Sequence, residues 1–217
     1  MTAGRVTGGP LSPLRALSYL ALGDSYSIGE GIDASGCWPV QLARALRDEG
    51  VMLADPKIVA TTGWTTDELS AALDAVEPLG TRGFVSLLIG VNDQYRGRGA
   101  DGYRDGFAEL LERSVGYAGG RTDRVLVLSI PDWGVTPFAT GQGRDAAQIA
   151  SELDAYNTIA CGLCMQLGIA FVDITPVSRE HGAEMSMLAD DGLHPSATMY
   201  AEWVRIALPV ARGLLAP

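Results

Sequence analysis

The sequence predicts an α/β fold: three α/β/α layers built on a five-stranded parallel sheet wound on both faces. Three observations predict it. Short apolar runs alternate with amphipathic stretches along the chain. Two of the runs, 84–90 and 124–130, are continuous rather than alternating, as in strands covered on both faces. And no linker, composition break or internal repeat interrupts the alternation, so residues 16–217 read as one domain behind a Gly/Pro/Ser-containing tail at 1–15.

The elements follow in order. SYLALG (18–23) is a strand. Residues 37–50 carry apolar side chains at helical spacing (Val40, Leu42, Ala43, Leu46) and stop on Gly50, a suitable residue just past a helix end. KIVA (57–60) is a short strand, and 65–78 is a helix opened by a capping box, Thr65 with Glu68. FVSLLIG (84–90) is the third strand, 101–117 a helix, RVLVLSI (124–130) the fourth strand and 144–167 a long helix. IAFVDI (169–174) completes the sheet. Residues 194–215 form a terminal helix that Pro209 bends or ends.

Composition excludes several classes of function. A net charge of −10, from 26 acids and 16 bases, repels phosphate backbones and anionic headgroups, so nucleic acid is not an expected partner. No run reaches the roughly 18 apolar residues of a membrane span, so no stable insertion is expected. The first strand runs straight into the candidate site, which argues against cleavage of a leader there and for a cytoplasmic protein. Three cysteines cannot all pair. Cys161 and Cys164 form a C-x-x-C, but no further ligand pair accompanies them, and all three, with Cys37, read as core residues. No metal site or cofactor is implied. Oligomeric state is left open.

In doubly wound sheets, sites gather beyond the carboxyl ends of the strands. After the first strand stands Gly23-Asp24-Ser25-Tyr26-Ser27. A Ser at a strand-to-helix turn sits near free N–H groups able to stabilise an oxyanion, although Ser and Asp are also ordinary helix caps. The G-x-S-x-G elbow is not met, since position 27 is Ser. After the second strand comes Thr61-Thr62-Gly63-Trp64, and after the third Gly90-Val91-Asn92-Asp93. Gly63 can offer an N–H and Asn92 a side-chain amide, and both are equally common turn residues. Near the end comes Asp190-Asp191-Gly192-Leu193-His194-Pro195. A carboxylate three residues before a His can orient its ring. Pro195, placed in the first turn of the last helix, fixes where His194 points. His181, the other histidine, reads as a surface residue. Gly97–Gly102 fits a dinucleotide fingerprint by letter only, and the single lysine, Lys57, excludes a P-loop and an S-x-x-K motif.

These four blocks, in this order and over about Tyr19–Trp203, resemble the SGNH (GDSL-type) hydrolase family, with GDSY standing where the family name has GDSL. IPDWGVTPFA (130–139), GWTTDEL and NDQYRG are further similar to a bacterial subgroup of esterases and lysophospholipase-like proteins. The resemblance implies a flavodoxin-like sheet. It implies Ser25 as nucleophile, His194 as general base and Asp191 as its partner. It also implies an oxyanion hole from the Ser25 N–H, the Gly63 N–H and the Asn92 side chain. The chemistry is coherent without the family name: ester cleavage needs a nucleophile, a base, an orienting acid and oxyanion donors. Asp190, four residues from His194, is the rival for Asp191. Asp24 and Asp93 are expected to bond loop N–H groups.

Tyr26, Trp64, Tyr95, Trp133 and Phe138, all near strand ends, are candidates to line the pocket or to pack in the core, and the 131–143 loop to form a wall. The expected substrate is a small-molecule ester with a small or medium acyl group. An acyltransferase or carbohydrate deacetylase with the same residues, and a silent binding module on the same fold, are the competing functions.

Overall fold

The structure is a computed structural model that describes residues 16–216; the tail expected at 1–15 lies outside the described residues. Five parallel strands, β1 (Leu17–Gly23), β2 (Leu53–Ala60), β3 (Phe84–Leu88), β4 (Val125–Leu128) and β5 (Ala170–Val172), form one sheet in the order β2-β1-β3-β4-β5. The helices are α1 (Ser25–Ile28), α2 (Trp38–Asp48), α3 (Thr66–Val76), α4 (Val91–Tyr95), α5 (Ala100–Tyr117), α6 (Pro137–Gly141), α7 (Ala146–Leu167), α8 (Thr175–His181) and α9 (Ala197–Leu215). α2 packs on α9 and β2, and α9 on α8 and β5; α5 packs between α3 and α7 and on β3. The sheet is thereby covered on both sides, as its apolar runs require.

β3 is buried along its whole length, as is β4. Each fully buried Leu or Val there contributes about 1.5–3 kcal/mol relative to exposure. β2 runs longer than KIVA, because Leu53 and Pro56 also pair with β1. Pro56 is tolerated there because β2 is an edge strand. α2 ends as expected: Gly50 takes a left-handed φ of +86° and the Val51 N–H bonds the Leu46 carbonyl at 2.9 Å. Glu68 accepts the Thr65 N–H at 3.0 Å and opens α3.

Two expectations at the last helix need correction. α9 starts at Ala197, capped by the Ser196 hydroxyl, so Pro195 is not in its first turn. Pro195 instead pairs with Leu188 in an isolated antiparallel bridge. Pro209 does not end the helix, which continues to Leu215. It occupies an exposed position, where water can satisfy the carbonyl freed by its missing N–H. Cys37 and Cys164 are buried, Cys161 is half-buried, and all three are free thiols; burial pushes the Cys164 thiol up to about 12.

Strand register positions the site. Gly23 aligns with Ala60 on one side and Leu88 on the other, so the loops after β1, β2 and β3 leave the sheet at one level. The sheet order places the topological switch between β1 and β3, the crevice where doubly wound folds bind ligands.

Candidate active site

At that crevice lies a cavity of about 220 Å³. Ser25, Gly63, Asn92 and His194 all border it, so loops far apart in sequence converge. Asp191 stands behind His194.

Ser25 is the first residue of α1 and is buried. Gly23 permits the tight approach, since a Cβ there would fall 2.1 Å from the Ser27 Oγ and 2.4 Å from the Leu88 carbonyl. The Asp24 carboxyl caps α1 by accepting the Tyr26 N–H at 3.0 Å. The Ser25 N–H, at the head of the turn, has no acceptor among the described residues. Gly63 takes φ +85°, a conformation side chains rarely adopt. Its carbonyl accepts from Arg96 Nη2 at 2.6 Å, and its N–H is likewise without an acceptor among the described residues. Asn92 Nδ2 donates to the Trp64 carbonyl at 2.9 Å. That bond engages one amide hydrogen and fixes the plane of the group, leaving the second hydrogen uncommitted. Three donors thus border one cavity.

The loops carrying them are tied together. Asp93, buried, accepts the Thr66 N–H at 3.0 Å and the Thr66 hydroxyl at 2.9 Å, fastening the β3 loop to the head of α3. This is the structural part expected of Asp93, and Asp24 plays its own in α1.

His194 is held from three directions. Its Nδ1 meets Asp191 Oδ2 at 2.5 Å, and Asp191 Oδ1 accepts the N–H groups of Leu193 and His194, both at 2.9 Å. Its carbonyl accepts the Ala189 N–H at 2.7 Å. The Tyr26 ring lies edge-on at 5.8 Å between centroids. Burial alone would raise the Asp191 carboxyl, but the His194 ring and the two N–H groups outweigh it and hold it below the usual carboxylate range. The bond to Nδ1 leaves Nε2 as the ring's free nitrogen. No direct hydrogen bond joins the Ser25 hydroxyl to His194, although both face the cavity. Such contacts are often long without a substrate. Asp190 is exposed and takes no part in the His194 contacts. His181, at the end of α8, bonds Glu184 at 2.8 Å, away from the cavity lining.

The aromatic wall forms from four of the five expected rings: Tyr26, Tyr95, Trp133 and Phe138. Trp64 is the exception. It is half-buried against the core and offers the site only its carbonyl. The 131–143 loop does form a wall, but not as an irregular loop: it contains a 3-10 turn at Trp133–Val135 and then α6. Trp133 is oriented by its Nε1–H, which donates to Gln94 Oε1 at 2.8 Å. Asp132 accepts from Arg179 Nε at 2.8 Å, and the Asp132 N–H donates to the Ser178 hydroxyl at 2.8 Å. Both partners come from α8, so this helix braces the wall. Thr62, Val91 and Leu193 also line the cavity. Their only sequence signal was adjacency to Gly63, Asn92 and His194.

No group of three or more His, Cys, Asp or Glu side chains poised to hold a metal occurs among the described residues, and no helix there is long and apolar enough to cross a membrane.

The GDSL-like lipase/acylhydrolase family matches residues 21–202, a span that includes every residue of this site. No curated protein sequence matches the chain. Among solved structures it is similar to TesA, at 22% identity over 91% of this chain and 99% of that one, with a TM-score of 0.71. It is also similar to a lipase/acylhydrolase from Enterococcus faecalis, at 19% identity, 93% and 98% coverage and TM-score 0.69. A third likeness is to the acetylxylan esterase of Geobacillus stearothermophilus, at 18% identity, 91% and 94% coverage and TM-score 0.68. These likenesses establish the α/β/α fold, and the match over 21–202 establishes the lineage: the chain belongs to the GDSL-like lipase/acylhydrolase family of serine carboxylic ester hydrolases.

Proposed function

We propose that this protein cleaves small to medium carboxylic acyl esters through an acyl-enzyme on Ser25, with His194 and Asp191 completing a triad. The observation that carries the reading is the pinned His194–Asp191 pair, with Ser25 and His194 opening on one cavity. In this mechanism the Ser25 Oγ attacks the ester carbonyl and His194 Nε2 takes its proton, while Asp191 stabilises the resulting imidazolium. The developing oxyanion meets the N–H groups of Ser25 and Gly63 and the free amide hydrogen of Asn92. His194 returns the proton to the departing alcohol, then activates a water that releases the acid and restores Ser25.

The test is hydrolysis of p-nitrophenyl acetate with fluorophosphonate labelling. Ser25 is the expected labelled serine, and Ser25→Ala is expected to lose roughly three or more orders of magnitude in turnover while folding normally. Labelling at Ser27, or an active alanine variant, overturns the assignment. A protein inert to all acyl esters would be a silent binding module. A second reading, carbohydrate deacetylation, draws on the aromatic wall of Tyr95 and Trp133, which suits stacking on a sugar, and on the likeness to an acetylxylan esterase. Acyl transfer by the same residues would appear as ester product when an acceptor alcohol is added. A panel of acyl esters, thioesters, lysophospholipids and acetylated sugars separates these substrates.

A further inference from the structure

Between α6 and α7, Arg144 lies over the aromatic wall, with its guanidinium carbon 5.4 Å from the Tyr95 ring centre and 5.2 Å from that of Trp133. Both rings line the cavity that reaches Ser25. The nearby arginines are committed: Arg96 to Glu68 and the Gly63 carbonyl, Arg98 to Asp67 and Asp93. Arg144 has no ion pair among the described residues, and the carboxylate next to it in sequence, Asp145, is spent capping α7 through the N–H groups of Ala147 and Gln148. An exposed guanidinium without an ion pair among the described residues, over two rings of the cavity wall, is notable in a chain of net charge −10.

We propose that Arg144 recognises an anionic group, a carboxylate or phosphate, carried by the ester away from its scissile bond. This deepens the esterase reading and rests on it. Over two rings inclined at 62° to one another, the guanidinium sits near the aromatic surface with its N–H groups uncommitted among the described residues, free to meet a carboxylate or phosphate with paired hydrogen bonds. The wall beneath offers little competition for a polar group. The Trp133 N–H is held by Gln94, and the Tyr95 hydroxyl points to Gln142 Oε1 at 3.4 Å. An anion bound there touches none of the reacting atoms, so its attraction is the same in the ground and transition states. It lowers KM and leaves turnover alone.

The experiment uses matched esters on the full-length protein. In one arm the charge is on the acyl side, 4-nitrophenyl monoadipate against 4-nitrophenyl hexanoate. In the other it is on the alcohol side, the acetyl ester of 4-hydroxybenzoate against that of its methyl ester. In at least one arm, Arg144→Gln is expected to lower the charged-to-neutral ratio of kcat/KM by about fivefold, through KM, with partial recovery in Arg144→Lys. Raising the salt should shrink the wild-type ratio in the same arm and leave that of Arg144→Gln unmoved. The responding arm identifies the side that carries the charge. A ratio unchanged by Arg144→Gln in both arms, or equal losses on charged and neutral esters, overturns the proposal. Wild-type protein that cleaves none of the four overturns the esterase reading itself.

Discussion

Asp24 is the carboxyl most displaced from its usual behaviour, and one substitution isolates its effect. It is fully buried, and burial first, with the charge of Asp93 adding, raises it to about 8 from 3.8, against the opposing Tyr26 N–H bond. Its Oδ2 has no hydrogen-bond partner. The raised value means that the folded protein holds a proton that the unfolded chain has lost between about pH 4 and pH 8. The stability linked to this proton is therefore complete below about pH 4 and is lost progressively as pH rises toward 8. At about 1.4 kcal/mol per pH unit, the span of roughly four units sets a ceiling near 5–6 kcal/mol. Relaxation and water entry around the carboxylate lower it, and about half would still be plain in urea melts. Asp24→Asn mimics the protonated side chain: Oδ1 still caps α1, and an N–H replaces the acid's O–H. Wild type and variant melted in urea at pH 5, 6, 7 and 8 share every other titrating group. The stability of wild type relative to the variant is expected to fall steadily across that range. Parallel pH profiles, or a difference of opposite sign, would refute the argument.

The remaining predictions concern the triad and the oxyanion donors. His194→Ala should abolish most activity and His181→Ala should not, and the reverse result would exchange their roles. Asn92→Ala should lower turnover by about 10²–10³ with a smaller change in KM; a raised KM at constant turnover would make Asn92 a ground-state contact. Asp191→Asn should keep the circular dichroism spectrum and lose much activity, because an amide cannot stabilise the imidazolium, whereas exposed Asp190→Asn should stay near wild type. A loss confined to Asp190→Asn would overturn the pairing seen at His194.

The parts legible in the sequence are those set by burial and by local chemistry. Near-continuous apolar runs located β3 and β4 because strands covered on both faces bury every position, and the one polar residue among them, Ser86, is hydrogen-bonded to the Tyr19 hydroxyl at 2.9 Å. Edge strand β2 was half hidden because Asp55 and Pro56, which break an apolar pattern, sit in a strand that only one neighbour pairs. Helix α8, seven residues with Pro176 in its first turn, is too short to show a period, yet its Ser178 and Arg179 fix the cavity wall. Its role is tertiary and leaves no local mark. The start of α9 was misread because proline suits a first helical turn in general, while here the Ser196 hydroxyl takes the cap and Pro195 joins a bridge. Trp64 shows the limit of adjacency. Standing next to Gly63 places its carbonyl at the site but says nothing about its ring. Arg144 escaped notice because its neighbours over the rings, Tyr95 and Trp133, are distant in sequence.

The two carboxyls flanking the site are moved in opposite directions, and in the proposed mechanism the direction matters more than the size. Asp24, sealed beneath the Ser25 turn, is shifted toward its neutral form by burial. A charge there, one residue from the nucleophile, would oppose the negative charge growing on the substrate oxygen and weaken the donors meant for it. Asp191, with its side chain 41% exposed and held by two N–H groups and the imidazole, stays ionised. It supplies its charge where positive charge appears, on the far side of the His194 ring. Exchanging the two environments would reverse both effects: an anion beneath the oxyanion and a neutral acid behind the imidazolium. The same residue type thus serves opposite needs, burial prevailing at Asp24 and hydrogen bonds with the imidazole prevailing at Asp191, as expected where neighbouring titratable groups are driven apart by their surroundings. The sequence block Gly23-Asp24-Ser25 therefore carries two requirements: glycine for the close approach of the chain, and an acid that burial shifts toward its neutral form while its oxygen caps the turn presenting Ser25.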